Sequence, residues 1–157
     1  MQEPSPDNAY LREHVRLMMD SYRRLTGETL VPATADAPQA LYEAPFAVVS
    51  HNTAADPIFN YGNRTALGLF EMDWHRFTQL PSRCSAAPVN RAERERLLAQ
   101  VSQHGFIQDY RGERISASGR RFQIEQATVW NLTDAAGDYR GQAAVFAHWI
   151  ELEPARK

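Results

Sequence analysis

Apolar residues change period several times along the chain, and each change marks an element. Leu11, Val15, Met18, Tyr22 and Leu25 recur at spacings of four and three, which draws one apolar stripe along an amphipathic helix. Asp7 or Asn8 can cap its start and Gly27 can end it. Residues 29–45 break the pattern: Pro32, Pro38 and Pro45 stand among small residues and read as a linker or wrapping loop. Phe46 to His51 and Ile58 to Tyr61 are β-rich, with Asp56-Pro57 turning the chain between them. From Asn63, a plausible N-cap, the period becomes helical through Ala66, Leu67 and Phe70. Asp73 can cap a short helix carrying Trp74, Phe77 and Leu80, which Pro81 stops. Asn90 and Glu93 resemble a capping box that opens a helix through Leu97, Leu98 and Val101, closed by Gly105.

After Gly105 the period drops to two. Phe106 to Ser116 reads as a strand, and Ala117-Ser118-Gly119 as a reversal. Over Arg120 to Leu132 the alternation predicts that Phe122, Ile124, Gln126, Thr128, Trp130 and Leu132 share one face. Tyr139 to Ile150 closes the chain as a strand apolar on both faces toward its end, which suits a central position. The expected fold is α+β: a five-stranded antiparallel sheet with helices on one face, plus an N-terminal helical extension. Two units are expected, residues 1–40 (helix and linker) and residues 41–152 (the domain). The N-terminal stripe buries against its own domain or serves as the seam of a homodimer, for which fewer than three heptads are short.

Composition narrows the function without naming it. The 157 residues carry a formal charge of −2, which disfavours a sequence-blind nucleic-acid binder. Sixteen of the 17 basic residues are Arg, as a GC-rich genome would produce. No apolar run is long enough for a membrane span, and the polar start MQEPSPDNAY lacks the features of a secretory signal. A single cysteine, Cys84, excludes an internal disulfide and fits a reducing, cytoplasmic setting.

The order two strands, short helices, a longer helix and three strands is that of a PAS domain. "NRTALGLFEMD" resembles the pattern along the first PAS helix, and the stretches "DPIFNYGNRTALGLFEMDWHRFTQLPSR", "GRRFQIEQATVWNL" and "GQAAVFAHW" are similar to the MEKHLA domain. That PAS-related family occurs as stand-alone bacterial proteins and at the end of plant class III homeodomain-leucine zipper factors. The likeness runs from about Leu41 to Trp149, although the letters of the family name do not occur here. It implies a non-catalytic sensory, ligand-binding or interaction domain of a signalling or regulatory kind, and it fixes no cofactor.

Candidate chemistry is sparse. His14, His51, His75, His104 and His148 are scattered without metal-ligand spacing, and only His104 stands near the position a haem-type PAS domain would use. Cys84 lies in "PSRCSAAP" without the flanking residues of a flavin-adduct site. His51 and Asp56, with Ser50 alongside, offer a dyad only if a cone-shaped barrel enzyme brings them together. Arg83 is expected to anchor carbonyls left free where Pro81 stops the short helix. What remains is a pocket. If the Arg120–Leu132 face turns inward, Asn60, Tyr61, Phe70, Trp74, Phe122, Ile124, Gln126, Thr128 and Trp130 line a site for a small apolar or aromatic ligand. Arg121 falls on the opposite parity, so a multiply charged ligand is disfavoured. The competing expectation is an adaptor module with a filled core.

Overall fold

The computed structural model describes residues 1–87 and 90–153. Strands β1 (Ala47–His51), β2 (Phe59–Gly62), β3 (Phe106–Ile115), β4 (Arg121–Thr133) and β5 (Tyr139–Phe146) form one antiparallel sheet in the order β2-β1-β5-β4-β3. The last expected strand is divided: after Ala147 the chain continues as β6 (His148–Glu151), which pairs with the first half of β4 while β5 pairs with the second.

Among the described residues there are five α-helices, α1 (Arg12–Thr26), α2 (Ala37–Tyr42), α3 (Arg64–Phe70), α4 (Trp74–Phe77) and α5 (Arg91–His104), and two short 3-10 helices, Pro6–Asn8 and Ser82–Ser85. The caps follow the side-chain chemistry in two cases. Asn63 Oδ1 accepts from the Ala66 amide and Asp73 Oδ1 from the Arg76 amide. Asn63 also bonds the Val48 amide and the Leu41 and Phe46 carbonyls, so this buried side chain ties α3 to β1. Asn90 does not cap α5; its amide donates to Glu113 on β3 instead. The segment expected as a linker contains α2, whose Ala37, Pro38, Leu41 and Tyr42 are buried. Proline is tolerated there because it occupies the first helical turn.

The domain's helices α3 and α5 lie on one face of the sheet, the inner face, as expected, and the N-terminal extension brings α1 onto the other. Helix α1 lies across the outer face of β4, where Val15, Met18 and Tyr22 bury in the same core as the strands. The stripe offered as a homodimer seam is therefore taken up within the chain. Tyr22 meets Trp130 edge-on at 4.9 Å, and the Trp130 Nε1–H donates to the Met18 carbonyl at 3.2 Å. Ser21 and Arg24 also bond the Thr133 carbonyl. Among the described residues, no helix is long and apolar enough to cross a membrane.

Candidate functional site

Strict alternation along β4 fails at one residue, and that failure decides what lines the interior. Gln126 sits at φ +53, a left-handed conformation, and is exposed. Four residues of β4 (Ile124 to Ala127) there stand against only three of β3 (Gly112 to Tyr110), so the bulge shifts the parity by one. Phe122 and Ile124 point inward before it, and Ala127 and Val129 after it. Thr128, Trp130 and Leu132 are turned to the outer face, under α1. The single face predicted for β4 is thus two half-faces.

The same holds at β2. The register slips between Ser50 and His51, which places Phe59 inside with His51 and Tyr61 outside with Ser50. On that outer side the His14 Nε2–H donates to Ser50 Oγ at 2.8 Å, and Ser50 donates to Asn60 Oδ1 at 2.5 Å. His14 also stacks on Tyr61, whose hydroxyl is buried without a partner among the described residues. Ser50 donates its hydrogen bond to Asn60, so His14 is not placed as its base. Trp74 packs edge-on against Tyr61 and donates to the Met1 carbonyl. Of the nine residues predicted for the pocket, Phe70 and Ile124 line the inner cavity, and Phe122 packs behind Phe70 at 5.3 Å. Asn60, Tyr61, Trp74, Thr128 and Trp130 lie elsewhere, and Gln126 faces solvent.

The inner cavity measures about 50 Å³ and lies between the sheet, α3 and α5. Phe59, Phe70, Ile124, Val129 and Phe146 supply its apolar wall. Its polar side was not foreseen: His51, Arg94, Tyr110, Arg114 and Gln142. Arg94 and Arg114 are 7% and 8% exposed. Arg114 donates to the Tyr110 hydroxyl at 2.8 Å and to the Glu113 carbonyl at 2.9 Å, and lies over the Tyr110 ring. Burial, and after it the charge of Arg114, draw the Arg94 guanidinium down to about 10. His51 Nδ1 bonds the Asn52 carbonyl at 3.0 Å and therefore carries the proton; Nε2 is buried and unpartnered. Burial lowers the His51 pKa, against the opposing pull of the Asn52 carbonyl. The Gln142 amide nitrogen donates to the Leu98 carbonyl and Ser102 Oγ on α5 and to Asn131 on β4, while the same side chain acts on His51 and draws its pKa upward.

Both arginines left a signal in the sequence. Arg94 stands four residues before Leu98 and seven before Val101, on the helix's apolar face where a charge is out of place. Arg114 shares parity with Tyr110 on β3. Other expectations resolve differently. Asp56 pairs with Arg83 at 3.0 Å on the surface, so His51 and Asp56 form no dyad and Arg83 serves a carboxylate, not helix carbonyls. His104 is exposed at the end of α5, and Cys84 is half-buried in the turn after Pro81.

The sequence model described as the MEKHLA domain matches residues 12–151. Among curated proteins none matches. In structure the chain is similar to the PAS domain of a protein from Colwellia psychrerythraea, at TM-score 0.56 and 14% identity, over 68% of this chain and 88% of that one. It is similar to a light-oxygen-voltage domain studied with a flavin analogue, at TM-score 0.59 and 14% identity, over 74% and 84%. A third likeness is to an RNA-binding light-oxygen-voltage receptor, at TM-score 0.62 and 16% identity, over 79% of this chain but 35% of that one. At these identities the structures establish a common fold.

Proposed function

Because the chain belongs to the MEKHLA domain family and has the α+β fold of PAS domains, we propose that it is a non-catalytic sensory domain. It binds a small molecule in the inner cavity and relays occupancy through α5 and the sheet to a protein partner. One observation carries the reading: a small cavity lined largely by buried residues, with an apolar wall and a polar side whose His51 Nε2 has no hydrogen-bond partner within the described residues. Buried polar atoms are ordinarily paired, and an unpaired one at a cavity invites a ligand group. The adaptor reading calls for an uncovered apolar sheet face, whereas α1 covers the outer face here. The similar light-oxygen-voltage domain studied with a flavin analogue lends support to a small-molecule role for this fold. Mass spectrometry of the purified chain under non-denaturing conditions is the test. A bound small mass, or one acquired on incubation with a metabolite extract, is expected. A chain that stays at its bare mass in both cases, with no shift in thermal midpoint, would sink the reading.

A further inference from the structure

Accepting that the inner cavity is a ligand site, we infer that its ligand is a small carboxylate, and that a hydroxyl on it is recognised by His51. Two arginines, each more than nine-tenths buried, face this cavity. Among the described residues, neither joins an ion pair and no Asp or Glu lines the cavity; the Arg94 guanidinium bonds no protein group and reaches the groove beside it. Buried cations without counter-charge are strongly disfavoured, and two side by side repel each other. A carboxylate between them relieves both penalties and matches the fork geometry of guanidinium.

The way in is visible. Arg94, Tyr110 and Arg114 also line a groove of about 300 Å³ between α5 and β3, so they stand where groove and cavity adjoin. The groove carries Glu93 and Glu113 as well, but Glu113 is engaged by Arg121 at 2.8 Å and by Asn90. Arg111 lines the groove too, paired with Glu125 at 2.9 Å, so an anion crossing the groove meets both signs of charge and finds two unpaired guanidiniums at its floor.

Size and wall chemistry set the rest. A cavity of about 50 Å³ holds roughly three or four waters, which is the scale of a carboxylate head with a short tail. Inorganic phosphate would press oxygens against Phe59, Phe70 and Ile124, where nothing can bond them. His51 Nε2, with the proton held on Nδ1 by the Asn52 carbonyl, is an acceptor. It calls for a donor on the ligand, and a hydroxyl supplies one where a second carboxylate oxygen would not.

The test is calorimetric titration of the full chain with lactate, propionate, lactamide and inorganic phosphate, with thermal midpoints alongside. Lactate is expected to bind best, propionate about tenfold more weakly for want of the hydroxyl, and lactamide and phosphate not measurably. Arg94→Gln should weaken lactate by about 50-fold or more while the ligand-free midpoint holds or rises, because an uncompensated buried charge has gone. Arg94→Lys keeps the charge and loses the fork; it should weaken lactate about tenfold, and it decides the matter if Arg94→Gln does not fold. Lactamide binding as well as lactate would overturn the anion inference and leave the ligand site standing. Phosphate matching lactate would overturn the carboxylate class. No binding by any of the four, together with no neutral small molecule captured in native mass spectrometry, would remove the ligand site itself.

Discussion

The two faces of the sheet are both buried, yet they treat polar groups in opposite ways. Under α1 the outer face closes its accounts. Trp130 Nε1–H reaches the Met18 carbonyl, Ser21 Oγ bonds the Thr133 backbone, and His14, Ser50 and Asn60 complete one another. Tyr61 Oη, near the sheet edge, is the exception there. The inner face carries the greater charge and pairs it less completely: among the described residues its two buried guanidiniums join no ion pair, and an imidazole nitrogen has no partner. A face built for cohesion pairs its polar atoms internally, since each unpaired one is a loss at every moment. A face built for binding keeps some unpaired and recovers the loss on occupancy. The difference teaches that coverage alone does not mark a core as structural; the pairing of its polar atoms does.

The largest effect expected from this contrast is on the outer face. Trp130→Ala removes a fully buried indole and a hydrogen bond, and should lower stability by about 4 kcal/mol in urea unfolding. A loss below about 1 kcal/mol would mean that α1 and β4 are not coupled as described.

Acid comes next. Burial holds the His14 pKa at about 4, below its usual 6.5. Between those values the unfolded chain takes up a proton that the folded chain refuses. Stability from this group is therefore complete above pH 6.5 and declines as the pH falls toward 4, by on the order of 3 kcal/mol. His51 is displaced in the same direction and adds to the decline. Urea unfolding of His14→Gln across this range should show a shallower slope than the parent chain. Identical slopes would place His14 in water and loosen the outer-face network.

On the inner face, replacing a buried charge should do the reverse of ordinary core damage. Arg94→Met is expected to change ligand-free stability by less than about 1 kcal/mol, or to raise it. A drop of several kcal/mol would show that Arg94 is paired after all and erase the contrast between the faces. The smallest effect is at the surface. Arg83 and Asp56 are an exposed pair, so Arg83→Lys should leave the thermal midpoint where it was, as differential scanning calorimetry would show.

The sequence by itself determined most elements, their order and the two working caps; α2 and the break between β5 and β6 lay beyond it. Periods of two and 3.6, Asn63 and Asp73 before their helices, and Gly105 after α5 act over a few residues. Local sterics and hydrogen bonding suffice to express them. The family was legible for the same reason, in one long run from Asp56 to Arg83 that stays contiguous. The tertiary structure alone decided which side of the sheet each residue serves. The left-handed turn at Gln126 and the slip between Ser50 and His51 each displace one residue, and one residue exchanges the faces of everything beyond it. Nothing local announces such a bulge, because it is fixed by how β3 and β1 pair with their partners. Arg94 and Arg114 are twenty residues apart on different elements, so only the docking of α5 on the sheet could bring them to one cavity. A pairing of that range is set by packing, which no single stretch of the chain contains.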